Sequence, residues 1–378
     1  MINRILKPIK YLGSGDFRLR RKKWWLRMLS RMPLGLSYLR YRYTPEANYL
    51  EQETFGMRFS SPIGLAAGFD CNGEMIDTFD ALGFGFIEVG SITPKPQHSK
   101  HSTSFYEFKG NHALLNSSPI ESAGVEKVIE NIKARHSRIV VGCNIAKNAN
   151  TPAEDAPKEY LRLFRPLYQY ADFFTVNLCC NSTDDIYVPA ERDEIMAILT
   201  PLFEFRRGQN QYRPILLKIS PDLSDEQVDL MTDIMLDTPL DGVVAAGGTI
   251  GRHGLENSKK EMHSLGRIPG ALSGTPLKER TLQIIRQIHA RSKGTYPIIA
   301  CGGITTADDV MEMLDAGATL VELYSEYYYG GNKSMRNIRL GVNERLRKAQ
   351  QTTAKQQPEP QHEEAHAEPS SEEKATQN

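Results

Sequence analysis

A lysine set in an apolar run asks for a chemical reason. Lys218 lies within Pro214-Ile-Leu-Leu-Lys-Ile219, where an unpaired ammonium would cost several kcal/mol to bury. Something anionic must meet it: an electron-rich cofactor ring, a phosphate, or a carboxylate from a neighbouring strand such as Glu88. Asn144 and Asn177 each end an apolar run. Each can offer two donors and an acceptor to a planar heterocycle, or be a satisfied core asparagine. Just past Asn177 stands the pair Cys179-Cys180. A thiol is among the few groups that can remove a proton near neutrality without a permanent charge. Alternation along a strand turns one of the two inward and the other outward. Cys179 reads as a small packing residue and Cys180 as the candidate base. The polar segment Asn181-Ser-Thr-Asp-Asp-Ile-Tyr187 that follows is of the kind that covers a site.

These residues need elements to hold them. Between Ser60 and Gly341 short apolar runs alternate with amphipathic segments, the pattern of repeated strand–helix units around a parallel sheet. Eight such runs are readable: 62–67, 85–90, 139–145, 173–178, 215–219, 241–246, 297–301 and 319–324. Asp222 and Ser224 open one helical segment; Thr305-Thr306 open another, which Gly317 closes. Eight units in this span predict a (β/α)8 TIM barrel of the α/β class, with a doubly wound open sheet as the alternative. In a barrel the site lies where the strands end. The residues there are Ala67-Gly68, Gly90-Ser91, Asn144, Asn177, Lys218, Gly247-Gly248, Gly302-Gly303 and Tyr324-Ser325. Glycine-rich late loops are a recurrent phosphate site, although Gly-Gly also serves simply to turn a tight loop.

The chain has 378 residues, 40% hydrophobic and 24% charged, with 46 basic and 46 acidic residues. It is long enough for a substantial core, and its balance excludes a surface built wholly for nucleic acid. The charge is unevenly placed, however. Residues 1–43 hold twelve Lys or Arg against the single acid Asp16, and the stretch 356–378 is acidic and rich in Gln, Glu and Pro. Five cysteines without Cys-x-x-Cys or Cys/His spacing argue against a disulfide framework or a metal site. No apolar run reaches the length of a membrane span or a signal peptide core, so a cytoplasmic protein is expected.

The segments Ser61-Pro-Ile-Gly-Leu-Ala-Ala-Gly-Phe-Asp-Cys-Asn-Gly-Glu74, Gly83-Phe-Gly-Phe-Ile-Glu-Val-Gly-Ser-Ile-Thr-Pro-Lys-Pro-Gln97, Lys218-Ile-Ser-Pro-Asp-Leu-Ser224 and Leu272-Ser-Gly-Thr-Pro-Leu277 occur in an order that resembles the dihydroorotate dehydrogenases. They look like the motifs of that family's membrane-associated, quinone-reducing class, over about Thr54 to Arg345. The resemblance implies FMN as cofactor. Ala67, Gly68 and Ser91 would lie at the first two strand ends, Asn144, Asn177 and Lys218 at the flavin ring, and Gly274, Gly303, Tyr324 and Ser325 around the phosphate. Cys180 falls on the family's catalytic base. The implied reaction is proton removal by Cys180 from a carbon next to a carbonyl with hydride transfer to the flavin, whose electrons pass to a quinone or another acceptor.

The sequence also departs from the family. Cys71 stands where a lysine reaches flavin and substrate, and Glu326 where a glycine is usual beside the phosphate. Asn116-Ser-Ser-Pro-Ile-Glu-Ser122 replaces the usual asparagine-rich substrate segment and puts Glu121 where an asparagine holds the pyrimidine. Gly247-Gly248 replaces a hydrogen-bonding pair, and Cys180-Asn181-Ser182 lacks a proline. Lost hydrogen bonds of this kind weaken substrate binding by several kcal/mol. The substrate contacts expected from the resemblance are therefore Asn177, Asn181, Glu121 and Cys71. Two alternatives fit the departures: an FMN oxidoreductase of the same fold for another small substrate, and a non-catalytic flavin-binding or membrane-associated homologue.

Residues 1–50 read as a basic N-terminal helical extension, 51–349 as the FMN-binding barrel and 350–378 as a disordered tail with too few apolar residues to pack. Within the extension, Phe17-Arg-Leu-Arg-Arg-Lys-Lys-Trp-Trp-Leu-Arg-Met-Leu-Ser-Arg31 mixes cations with Trp24, Trp25, Leu26 and Leu29. That mixture suits anionic headgroups and an interfacial apolar face, so residues 1–43 are expected to make a peripheral contact with the cytoplasmic face of the membrane. A solvated basic helix with its tryptophans packed on the barrel is the alternative.

Overall fold

The computed structural model describes residues 14–44, 49–98, 105–117, 120–181, 186–187, 191–255 and 270–356. All eight expected runs form strands: β1 (Ile63–Leu65), β2 (Phe86–Ile92), β3 (Val140–Ile145), β4 (Phe173–Asn177), β5 (Ile215–Ile219), β6 (Gly242–Ala245), β7 (Ile298–Cys301) and β8 (Leu320–Leu323). They pair in parallel, each with its neighbours in chain order, and β8 closes onto β1. The structure is thus a (β/α)8 barrel and not an open sheet.

Helices on the outside bury the second face of each strand, which is why the runs are continuously apolar. They are α3 (Ile76–Ala81), α4 (Val125–Lys133), α5 (Ala156–Leu167), α6 (Arg192–Arg207), α7 (Asp225–Asp237), α8 (Lys278–Arg291), α9 (Ala307–Asp315) and α10 (Ser325–Gln356). They follow two more at the N-terminus, α1 (Ser14–Ser30) and α2 (Pro33–Tyr43). Ser224 and Thr306 close capping boxes at α7 and α9 with Gln227 and Asp309, as their types and spacing foretell.

Alternation along the strands divides the barrel interior into two layers. The lower is apolar: Phe86, Phe173, Leu216, Val244, Ile299 and Leu320 pack together with Phe59 from a hairpin (Gln52–Thr54 with Met57–Phe59). Glycines in β1 and β3 make room for the two large rings. A Cβ on Gly64 would lie 2.3 Å from the Phe86 ring, and one on Gly142 would lie 2.2 Å from that of Phe173. Two residues further along, five of the eight strands turn polar inside, with Glu88, Asn144, Thr175, Lys218 and Glu322 all buried. The chemistry is therefore set at the C-terminal ends of the strands by period-2 spacing from a hydrophobic floor.

Above that end lies an antiparallel sheet of three strands, Phe105–Phe108, Ala113–Asn116 and Ala271–Gly274. Helix α1 lies beside it, with Arg18 3.1 Å from Glu107. Leu26 is buried in the core, and its carbonyl accepts from Thr78 Oγ1 at 3.0 Å. Lys22 donates to the carbonyls of Tyr327 and Tyr328, in the turn of α10 before the break at Gly331. Burial, followed by the neighbouring Arg18, lowers the Lys22 ammonium to about 8. Trp24 and Trp25 are 51% and 57% exposed, so they do not bury themselves on the barrel. No described helix is long and apolar enough to cross a membrane. Helix α10 continues to Gln356, so residues 350–356 are helical where composition predicted disorder. Residues 1–13 and 357–378 lie outside the described residues.

Candidate active site

The strand ends enclose a cavity of about 250 Å³. Nine of the ten expected cofactor residues line it: Ala67, Gly68, Ser91, Asn177, Lys218, Gly274, Gly303, Tyr324 and Ser325. The tenth, Asn144, is buried beneath and supports them. Its Nδ2 donates to Glu88 Oε1 at 2.7 Å, and its Oδ1 accepts from Asn177 Nδ2 at 3.3 Å. Asn177 Nδ2 also lies 3.0 Å from Ser91 Oγ, while the Asn177 carbonyl accepts from Tyr160 OH at 2.6 Å. Both asparagines are thus held by partners on three strands and a helix.

Lys218 has the carboxylate expected of it, and a second. Its Nζ lies 3.2 Å from Glu88 and 3.5 Å from Glu322, all three side chains being buried. Burial pulls the lysine down, but the two carboxylates outweigh it and hold the ammonium well above its ordinary value. Burial likewise raises Glu88, but Lys218 and hydrogen bonds to neighbouring side chains hold its carboxyl below the usual range. Burial and the like charge of Glu88 push Glu322 well above it. Glu322 lines the cavity and was not among the residues expected there. The signal that locates it is the alternation Leu320, Glu322, Tyr324, which carries it inward with its neighbours.

The phosphate end is built by close approach. A Cβ on Gly303, where φ is +75°, would lie 2.5 Å from the backbone of Lys278 at the start of α8. The Lys278 ammonium lies 2.6 Å from Asp309 and 2.9 Å from Glu312. Asp309 also accepts from the main chain of Thr305 and Thr306 at 2.9 and 2.8 Å. The loop after β7 is thereby fixed between two helices, facing the first residue of α10, Ser325. A helix N-terminus presents free N–H groups to an anion. Glu326 does not oppose that anion from the cavity wall. Its carboxylate accepts from Ser334 and lies 3.8 Å from His112, and burial raises it above the ordinary carboxylate range.

On the opposite side, Cys71 and Glu121 both line the cavity. Asn72 positions them: its side-chain oxygen accepts from Ala123 N at 2.9 Å, and its carbonyl accepts from Asn131 Nδ2 at 2.9 Å. Cys71 Sγ donates to the Gly68 carbonyl at 3.3 Å, and burial raises its thiol, with Lys23 the leading opposing influence. Lys23 and Leu19 of α1 complete this side of the wall, a role their place in the basic extension did not reveal.

The cysteine pair needs a correction. Cys179 does not simply pack in the core: it lines the cavity, and its sulfur lies 3.5 Å from the Lys218 carbonyl. Gly247 leaves room for it, since a Cβ there would sit 3.2 Å from that sulfur. The backbone of Cys180 and Asn181 pairs with Ile186–Tyr187, but both side chains lie outside the described residues.

The set fits a flavin mononucleotide. A buried ammonium and the Asn177 amide, braced from below by Asn144, meet at one end of the cavity, and a side-chain-free anion cradle lies at the other. Among the described residues no cluster of His, Cys, Asp and Glu could hold a metal.

A profile described as dihydroorotate dehydrogenase matches residues 49–346. A protein of Christiangramia forsetii named dihydroorotate dehydrogenase (quinone) is 36% identical over 322 residues, covering 85% of this chain and 92% of that one. One of the same name from Corynebacterium efficiens is 38% identical over 299 residues, 79% of this chain and 77% of that one. Among solved structures, DHODH of Eimeria tenella in complex with ferulenol superposes with a TM-score of 0.73 at 28% identity, covering 84% of this chain and 92% of that one.

Proposed function

This chain belongs to the dihydroorotate dehydrogenase family, and we propose that it uses FMN to oxidise dihydroorotate to orotate and hands the electrons to a quinone. The observation that carries the proposal is the polar layer at the strand ends: Lys218 and Asn177 are buried and line one cavity, Asn144 braces Asn177 from beneath, and the far end of that cavity is an anion cradle.

Bound there, FMN supplies the two-electron acceptor that no side chain can provide. Lys218, Asn177 and Ser91 would hold the flavin ring, and Gly274, Gly303 and Ser325 its phosphate. Cys180 takes the proton from the substrate carbon. Asn177, Cys71 and Glu121 line the cavity and would face the substrate ring, with Asn181 carried over from the resemblance as a fourth contact.

The substrate is a carboxylate and needs a cation. Lys218 already faces Glu88 and Glu322. Lys23 reaches the same cavity from α1 and has no carboxylate within ion-pair distance among the described residues. We assign it to the substrate's carboxylate, where it supplies the charge that Cys71 does not.

The exposed Trp24, Trp25, Met28, Met32, Leu34, Tyr38 and Tyr41 lie on the helix pair and the turn joining it, with cationic Arg20, Arg21, Arg31 and Arg42. This combination suits the interface of an anionic bilayer. The same helix α1 lines the cavity, so a lipid-dissolved quinone would meet the site along it.

Anaerobic mixing of the FMN-loaded protein with dihydroorotate tests the activity. Rapid bleaching of the flavin absorbance is expected. A flavin that stays yellow with dihydroorotate yet bleaches with a chemical reductant would overturn the substrate assignment.

A further inference from the structure

We infer that Glu322 works as a neutral, proton-bearing acid, so that the buried group Glu88, Lys218 and Glu322 carries no net charge beneath the cavity. Its role toward the flavin rests on the function proposed above; its protonation does not.

The geometry sets up an imbalance. Two carboxyls share one ammonium, at 3.2 and 3.5 Å, inside a barrel whose floor is aromatic and aliphatic. An extra charge there is costly to desolvate, and two neighbouring carboxyls in such a place hold one proton between them. The hydrogen bonds decide which keeps it. Glu88 accepts from Asn144 at 2.7 Å and from Lys218 at 3.2 Å, whereas Glu322 meets the same ammonium only at 3.5 Å and has no amide donor beside it. Donors favour the ionised form, so the charge settles on Glu88 and the proton on Glu322.

Among the described residues no cation other than Lys218 lies beside Glu322. Along β7 its register partner is Cys301, and along β1 it is Gly64. The Cys301 thiol is pushed up to about 12, chiefly by burial, so it stays neutral. The titratable and charged groups facing Glu322 are thus Glu88 from β2, Lys218 from β5 and Cys301 from β7.

Glu322 acts as a positioning residue. Holding the proton, it leaves the Lys218 ammonium balanced by one carboxylate and free of a second full negative charge under the ligand. Ionised, it would set a net negative group below an anionic cofactor. FMN binding should therefore weaken as alkaline pH removes the proton, and a glutamine, which cannot ionise, should remove that weakening.

The test is infrared difference spectroscopy of the protein with and without FMN, read in the carboxylic-acid C=O stretch. Wild type at neutral pH is expected to show an acid band that shifts in heavy water and is missing from Glu322→Gln. Glu88→Gln should lose it too, because Glu322 then becomes the sole counterion of Lys218 and ionises. Glu322→Gln should keep FMN affinity within about threefold at neutral pH, under 1 kcal/mol, and hold it at alkaline pH where wild type loses it. Absence of the band in wild type, or its survival in Glu322→Gln, overturns the inference. Should Glu322→Gln not fold, wild type and Glu88→Gln decide alone. A protein that shows the band yet fails to bleach with dihydroorotate would refute the proposed substrate and leave the neutral acid standing.

Discussion

The main-chain N–H of Cys179 donates to Oδ1 of Asn177 across 2.9 Å, which ends the fourth barrel strand in a turn and brings the Cys179 sulfur into the cavity wall. The neighbouring Cys180, which falls on the base position, starts a short antiparallel pair instead. Replacing Cys180 with alanine should slow dihydroorotate-driven flavin bleaching by about 10²–10⁴-fold, the usual worth of a general base, with the flavin still bound. Cys179→Ala should slow it by less than about tenfold. Stopped-flow absorbance under nitrogen reads both, and the reverse ranking would transfer the role to Cys179.

Lys23 offers its charge from a helix outside the barrel. Lys23→Met should weaken orotate binding about tenfold, near 1.4 kcal/mol, while Lys23→Arg keeps most of it. Titrating oxidised protein with orotate and following the flavin difference spectrum gives the affinity. Equal affinities for wild type and Lys23→Met would remove this lysine from the substrate.

The phosphate cradle depends on backbone contact. Gly303→Ala must push against the main chain of Lys278, 2.5 Å away, and should cost flavin retention before it costs folding. The flavin-to-protein absorbance ratio after gel filtration is expected to fall well below that of wild type. A fully loaded variant would show that the loop yields.

Asp309 ties the same loop to α8 and α9. Burial would raise its carboxyl, but the Lys278 ammonium and the Thr305 and Thr306 donors hold it at about 2. A carboxyl depressed in the folded state stabilises the fold above its ordinary value, 3.8, and that contribution is lost as pH falls toward 2. Asp309→Asn should therefore lower stability by about 1–2 kcal/mol at neutral pH, as for a charge-assisted hydrogen-bond group. Urea titrations of both proteins should converge in acid; a gap that persists there would argue against the ionised carboxylate as its source.

The exposed tryptophans carry the lipid prediction. Trp24→Ala combined with Trp25→Ala should reduce binding to vesicles rich in phosphatidylserine by tenfold or more, since each side chain contributes about 1 kcal/mol or above at an interface. Dihydroorotate-driven bleaching in detergent should stay unchanged. Co-sedimentation measures the first and absorbance the second; vesicle binding equal to that of wild type would place the membrane contact elsewhere.

The parallel strands were legible because strands covered on both faces are largely apolar, as Ile215–Ile219 is beside its capped helix, and the count of eight favoured the barrel; closure of β8 onto β1 is what excludes the open sheet. Lys218 and Asn177 stood out as polar residues within or closing such runs. Cys179 was misjudged because strand alternation was carried past Asn177, where the chain turns. The sheet formed by Phe105–Phe108, Ala113–Asn116 and Ala271–Gly274 joins segments far apart in the chain, which local periodicity does not report. Lys23 was hidden for a related reason: its pattern spoke of a surface helix, and only packing on α3 and α10 brings it to the cavity.

Phe86 and Phe173 seat against Gly64 and Gly142 and stopper the barrel from below, so the axis offers no thoroughfare. Dihydroorotate and orotate must then use one doorway, and each occupant has to clear it before the next can enter. An acceptor soluble in water would queue at that doorway and inhibit competitively. One arriving from lipid would pass Leu19 of α1 at the cavity wall, and its inhibition pattern against dihydroorotate would show whether the two compounds share a route.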